Sequence, residues 1–132
     1  MGIILDSSIL IGLERQFRDS GVPPSWLEQE VAIAAITAAE LLAGVQRADA
    51  AHRPRRSAFV EGILATVPTV PFDLTAARLY AQIEADLATA GTPVDRSDLH
   101  IAATALARGW SVATLNRADF ARVPGLGVIG LE

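Results

Sequence analysis

The stretch Gly2-Ile3-Ile4-Leu5-Asp6-Ser7-Ser8 sets an acid and two hydroxyls directly after a short uncharged run. Such a run, bounded at once by residue types that favour helix starts, reads as a strand buried on both faces, the kind found in parallel sheets. Asp6 then stands at the strand's carboxyl end. The arrangement recurs: Val31 to Ile36 leads into Thr37-Ala38-Ala39-Glu40, and Trp110 to Leu115 leads into Asn116-Arg117-Ala118-Asp119-Phe120. A helix start at Asp95-Arg96-Ser97-Asp98, ahead of the apolar face Leu99, Ile101, Ala102 and Ala103, repeats the same offset between a polar residue and an acid.

Working outward, Ile9 to Arg18 reads as a helix striped by Ile9, Leu10, Leu13 and Phe17. It is broken at Gly21-Val22-Pro23-Pro24, and Ser25 precedes a short helix from Trp26 to Glu30. Val31 to Ile36 is a buried strand and Thr37 to Ala48 a helix. Arg53-Pro54-Arg55-Arg56 punctuates the chain before a helix from Ser57 to Thr66 and an extended piece from Val67 to Pro71. Asp73 caps a longer helix to Ala90, stopped by Gly91-Thr92-Pro93. Asp95 to Arg108 is helical and ends at Gly109. A strand from Trp110 to Thr114, a helical turn from Ala118 to Arg122 and an edge strand at Val128-Ile129 complete the series. Strands alternating with helices predict an α/β fold of three layers around a mostly parallel sheet of about four to five strands, in one domain over residues 1–132.

Composition narrows the chemistry. Hydrophobic residues make up 51% and aromatics 5%, so the core is built mainly from Ala, Leu, Ile and Val. Cysteine is absent, which excludes disulfides, thiolate zinc sites and a cysteine nucleophile. All 11 cationic residues are arginine, so lysine-dependent phosphate loops and Schiff bases are excluded. The net charge of -4 argues against a protein that coats nucleic acid by charge alone. No run approaches the roughly 20 apolar residues of a membrane-spanning helix, and the start lacks the pattern of a secretory signal, so a soluble cytoplasmic chain is expected.

Each acid has a plain structural reading. Thr37 with Glu40 fits a capping box, and Asp95 with Asp98 or Asn116 with Asp119 fits an N-cap followed by a first-turn acid. The joint geometry favours more, because helices that follow parallel strands begin at the carboxyl edge of the sheet, where ligands sit. Asp6, Glu40, Asp98 and Asp119 are then brought to one edge. Two carboxylates several ångströms apart repel by about 3 kcal/mol at an effective dielectric near 20, so the cluster calls for a cation. Oxygen donors without cysteine select Mg²⁺ or Mn²⁺, and a carboxylate-held hard cation suits phosphodiester hydrolysis.

These residues resemble the PIN-domain ribonucleases, and among them the VapC-type toxins of bacterial toxin-antitoxin pairs. The resemblance rests on Ile4-Leu5-Asp6-Ser7-Ser8, Thr37-Ala38-Ala39-Glu40-Leu41, Asp98-Leu99-His100-Ile101-Ala102-Ala103 and Thr114-Leu115-Asn116-Arg117-Ala118-Asp119-Phe120, in that order. It implies a Mg²⁺- or Mn²⁺-dependent endoribonuclease that cuts structured RNA, tRNA or rRNA, through a metal-bound water. Asp6, Glu40 and Asp98 would form the acidic core, and Asp119 would complete it or act through a water. Ser7 and Thr114 would orient carboxylates or water, and Asn116 stands where some members carry an acid. A VapB-type antitoxin and a homodimer are implied likewise.

Arg53, Arg55 and Arg56, with His52, form the densest cationic stretch, suited to phosphate or antitoxin contact as well as to a solvated loop. Gly125-Leu126-Gly127-Val128-Ile129-Gly130 matches a dinucleotide loop in spacing but lacks the following helix, so it reads as a terminal strand. His100 reads as a packed histidine, Asp95 as a helix cap, and Trp26 and Trp110 as core or interface anchors. The segment from Gln16 to Glu30 is positioned to clamp the site or receive a partner. Two alternatives stand beside the nuclease. One is a non-catalytic α/β binding domain whose acids only cap helices. The other, a phosphatase with Asp6 as nucleophile, is disfavoured by Ser8 in place of a second aspartate and by the lack of lysine.

Overall fold

The computed structural model describes residues 2–12 and 28–130. Strand β1 (Gly2–Leu5) leads into helix α1, which begins at residue 7 and is described to residue 12. There follow β2 (Glu30–Ala34), α2 (Ala35–Arg47), α3 (Arg53–Thr66), β3 (Thr69–Val70) and α4 (Leu74–Ala90). The chain continues through α5 (Arg96–Arg108), β4 (Ser111–Ala113), α6 (Arg117–Ala121) and β5 (Val128–Ile129). The sheet runs β3-β2-β1-β4-β5 with every pairing parallel, as the alternation of strands and helices predicts.

The first strand of the chain is the middle strand of the sheet, which is why it carries no charge until it ends. Its side chains alternate between two cores. Ile4 joins Ala32, Ala34 and Val112 beneath Ile83, Leu87, Leu99 and Phe120, so α4, α5 and α6 cover one face. Ile3 and Leu5 join Ile33 and Ala113 beneath Ile9, Leu41, Ile63 and Leu64, so α1, α2 and α3 cover the other. The middle layer is therefore sealed on both sides and only its ends reach solvent. Small residues make the approach close: a side-chain carbon on Gly2 would fall 2.4 Å from the Trp110 ring, which lies over that glycine, with the Arg108 guanidinium 5.5 Å from the ring centre. Trp110 thus packs on the sheet, as expected of an anchor.

Several boundaries follow local chemistry. Asp73 accepts the Ala76 N–H at 2.9 Å and Asp95 the Ser97 N–H at 3.0 Å, which caps α4 and α5. Both helices end on glycines, Gly91 and Gly109, in left-handed conformation. The strand expected over Val31 to Ile36 is instead Glu30–Ala34, and α2 starts at Ala35 with Ala34 at its cap position and no side-chain cap. Alanine's high helix propensity allows that early start. Thr37 therefore lies inside the helix, and its expected capping box with Glu40 is not formed. Arg53-Pro54-Arg55-Arg56 is the first turn of α3, a place where proline's missing N–H costs nothing. Of the expected helix from Trp26 to Glu30, residues 26–27 lie outside the described residues, and Glu30 belongs to β2. Most of the Gln16 to Glu30 segment, Trp26 and the later part of the Ile9 to Arg18 helix likewise lie outside them.

Candidate active site

β1 and β4 run side by side, with Leu5 opposite Ala113, so the next residues of each, Asp6 and Thr114, leave the sheet together. The Asp6 N–H donates to the Ala113 carbonyl at 2.9 Å and fixes the acid at the end of the ladder. Thr114 Oγ1 and Ser8 Oγ each donate to Asp6 Oδ2 at 2.8 Å. These hydroxyls are themselves held: Asn116 N–H donates to Thr114 Oγ1 at 2.9 Å and Leu115 N–H to Ser8 Oγ at 3.1 Å. Asp6 is 6% exposed, and only one of its oxygens is engaged by a side-chain hydroxyl among the described residues. Thr114 is one of the two hydroxyls that hold the Asp6 carboxylate. The second hydroxyl belongs to Ser8 and not to Ser7, whose side chain makes no hydrogen bond among the described residues. Helix α1 begins at residue 7, and its first turn brings the residue two beyond Asp6 back onto that carboxylate.

The second acid comes from the neighbouring strand-to-helix passage. Glu40 sits early on α2, and Ser97 Oγ in the first turn of α5 donates to its Oε2 at 2.9 Å. That bond ties two helices from opposite faces of the sheet across its carboxyl edge. Asp98 follows Ser97 directly. Its carboxyl is pushed up to about 6, first by burial and then by the negative charges of Asp6, Asp95, Asp119 and Glu40. One group thus registers acids from β1, α2, α6 and its own helix cap. Asp119, on α6, is held by Asn116 Nδ2 at 2.7 Å, and Arg122 Nη1 lies 3.6 Å from its other oxygen. Asn116 occupies the cap position of α6 without capping it; its side chain turns to Asp119 instead.

Because the folded chain holds the Asp98 proton more tightly than the unfolded chain does, stability falls as pH rises from about 4 through 6 and then levels off. Asp98→Asn removes that charge. Its melting temperature is expected to exceed the wild type's at pH 7.5, with the gap closing towards pH 4; a pH-independent gap in calorimetry would contradict the shift.

The donors are oxygen throughout, one carboxylate is fixed by two hydroxyls, and the cluster carries repulsive charge, all of which suits a hard divalent cation. Among the described residues no three His, Asp or Glu side chains stand at the spacing of a metal-binding group, so convergence on one ion requires rotation of the exposed Glu40 or its neighbours. Thr37 lies one turn before Glu40, fully buried, and its hydroxyl is the buried side-chain polar atom left without a partner among the described residues. An orphan of that kind costs about 1–3 kcal/mol.

Other expectations are placed elsewhere. His100 packs in a three-ring cluster with Phe72 and Tyr80, tilted against both, with ring centres 4.4 and 4.8 Å away, as a packed histidine. Arg55 and Arg56 line a groove of about 290 Å³ with Ile11, His52 and Phe59, separate from the four acids, while Arg53 Nη2 donates to the Ala48 carbonyl at 2.8 Å. Gly125 to Gly130 carries β5 and no helix follows it among the described residues. Sequence reasoning missed Ser8, Ser97 and Arg122. Ser8 and Ser97 each gave a signal, the one as the second hydroxyl after Asp6 and the other as the residue preceding Asp98 at a helix start.

The profile of the PIN domain family matches residues 3–126. Ribonuclease VapC1 of Rickettsia felis is 37% identical over 131 residues, covering 98% of this chain and 96% of that protein. The tRNA(fMet)-specific endonuclease VapC of Salmonella typhimurium is 39% identical over 94 residues, 71% of this chain and 70% of that one. Among solved structures, VapBC-5 of Mycobacterium tuberculosis, a member of the VapBC family of toxin-antitoxin systems, superposes with a TM-score of 0.76 at 34% identity, covering 99% of this chain and 98% of that chain. With the acids, their order along the chain and the parallel sheet that gathers them, the chain belongs to the PIN-domain family, among the VapC ribonucleases.

Proposed function

We propose that this chain is a Mg²⁺- or Mn²⁺-dependent endoribonuclease, the toxin of a VapB–VapC pair, acting in the cytoplasm on structured RNA such as tRNA or rRNA. The observation that carries the reading is the arrangement at the carboxyl edge of the sheet, where Asp6 leaves β1 braced by Thr114 and Ser8, and Glu40 of α2 is bonded to Ser97, which directly precedes Asp98 on α5. Asp6, Glu40 and Asp98 would hold the cation, with Asp119 adding its charge at the margin. When bound, the cation lowers the pKa of water and neutralises charge developing on the phosphate oxygens. Thr114 and Ser8 aim Asp6 by donating to it, and Ser97 fixes Glu40, the outer support such sites need. Arg53, Arg55 and Arg56 offer guanidinium groups for an antitoxin or for phosphates, and a homodimer belongs to the same reading.

The reading in which the acids only cap helices is disfavoured by their partners. Asp6 accepts from hydroxyls, Glu40 from Ser97 and Asp119 from Asn116, all side chains, whereas the backbone caps come from Asp73 and Asp95. The test is cleavage of folded tRNA and rRNA fragments by the purified chain. Cleavage should appear with Mg²⁺ or Mn²⁺, stop with EDTA and return when the cation is restored in excess. Cleavage that continues unchanged in EDTA would overturn the metal-dependent reading.

A further inference from the structure

Helix α6 opens on a guanidinium that the acids do not use. Arg117, its first residue, is exposed, and its side chain makes no hydrogen bond or ion pair among the described residues. Arg122, past the other end, faces Asp119 at 3.6 Å and donates to the Pro93 carbonyl at 3.2 Å. A glycine sets where Arg117 rests. Val128 points to the face covered by α4, α5 and α6 and Ile129 to the other, so the next side chain would point to α6 again, and that position is Gly130. A side-chain carbon there would fall 3.0 Å from Arg117 Cδ and 3.2 Å from its Nη1, closer than packed atoms ordinarily stand, so the bare backbone is the seat of the arginine. The seat lies at the acid-bearing edge. The Thr114 N–H donates to the Ile129 carbonyl at 3.0 Å and Ala113 lies opposite Ile129, so Gly130 stands level with Thr114, whose hydroxyl holds Asp6. Asp6, Thr114 and Gly130 thus leave β1, β4 and β5 side by side, and two strand spacings, about 10 Å, separate the first from the last.

Resting on the nuclease reading, we infer that Arg117 is a substrate-binding residue: seated on Gly130, it holds a phosphate of the RNA strand that flanks the bond at the acids. RNA is a polyanion, and unneutralised carboxylates at this edge repel it, so a strand laid along the edge needs positive charge beside them. A guanidinium is a planar, permanently charged fork that bonds two phosphate oxygens at once. The other arginines near the edge are placed differently. Arg122 is engaged with Asp119, and Arg96 lines a small groove between α4 and α5 with Glu84 and Leu87. Arg55 and Arg56 line their own groove, apart from the acids. Arg117 is the one laid over a strand end, and the seat restricts its stem before any phosphate arrives, which lowers the ordering cost of binding.

The test is single-turnover cleavage of folded tRNA and rRNA fragments by the full chain at saturating Mn²⁺, over a series of protein and salt concentrations, which separates affinity from maximal rate. Arg117→Ala should raise the half-saturating protein concentration about five- to tenfold, the weight of one charge-assisted bond, and leave the maximal rate within about twofold. It should also lower the slope of log affinity against log salt by about one, the signature of one lost phosphate contact. Arg117→Lys should keep the salt slope and recover part of the affinity, because the charge remains and the fork does not. Gly130→Val fills the seat and spares the charge. It should weaken affinity about two- to fivefold in the wild type and add nothing to Arg117→Ala, the non-additivity expected of two residues in contact. Thermal melts of each variant report the fold. An Arg117→Ala chain with wild-type affinity and salt slope would overturn the inference. So would a loss confined to the maximal rate, since Arg117 would then act through α6 on Asp119. A Gly130→Val loss that adds in full to that of Arg117→Ala would overturn it too, because the glycine would then serve the fold alone. A wild type that cuts none of these RNAs would instead bring down the nuclease reading beneath it.

Discussion

Asp6→Asn is expected to lower RNA cleavage by at least about a hundredfold while leaving the chain folded, a larger loss than the 10- to 100-fold usual for outer partners of a metal site. The substitution keeps the size of the side chain and one carbonyl oxygen, so Thr114 Oγ1 and Ser8 Oγ still have an acceptor at the end of β1. What disappears is the charge. Nearly full burial keeps water from compensating, because Asp6 is 6% exposed. Single-turnover cleavage of a folded RNA at saturating Mn²⁺ separates this from simple loss of affinity. Cleavage within tenfold of wild type would show that Asp6 supports the sheet edge and not the chemistry.

Phe120→Ala should cost about 3–5 kcal/mol, the usual range for emptying a large aromatic site in a core. Phe120 has no exposed surface and packs with Ile4, Val112 and Leu99, joining α6 to the middle of the sheet and to α5. It also follows Asp119, so the variant should lose its hold on the acid-bearing turn before it loses the rest of the fold. Urea denaturation gives the stability, and the expected result is a lower midpoint with an unchanged slope. A shift under 1 kcal/mol would mean that the surrounding aliphatic side chains collapse into the space.

The parallel architecture was legible because strands alternate with helices and β1 is a brief apolar run that ends at Asp6, and both caps, Asp73 and Asp95, were legible because aspartate before an apolar period has one common use. The boundaries failed where alanine fills the sequence. Ala34-Ala35 gives no mark of its own, so the change from strand to helix is set by pairing with β3, whose register ends at Ala34 opposite Val70. The acids were legible as a set, since spacing and fold class place all of them at one edge. Their supports were not. Ser97 acts on Glu40 across 57 residues, which no local pattern encodes, and Ser8, only two residues from Asp6, was passed over for its neighbour Ser7. The bond from Asn116 to Asp119 was hidden because Asn116 looked like a cap, whereas its amide serves a neighbouring side chain.

The order of strands in space has a bearing on synthesis. β1 is translated before both of its neighbours, β2 on one side and β4 on the other, and the hydroxyl of Thr114 that steadies Asp6 follows 108 residues later. A nascent or truncated chain lacking that last quarter has Asp6 without its Thr114 brace, without β4 beside it and without Asp119. That edge of the sheet is complete only once α6 has been made, so a ribosome that stalls midway releases a fragment in which Asp6 lacks the Thr114 hydroxyl.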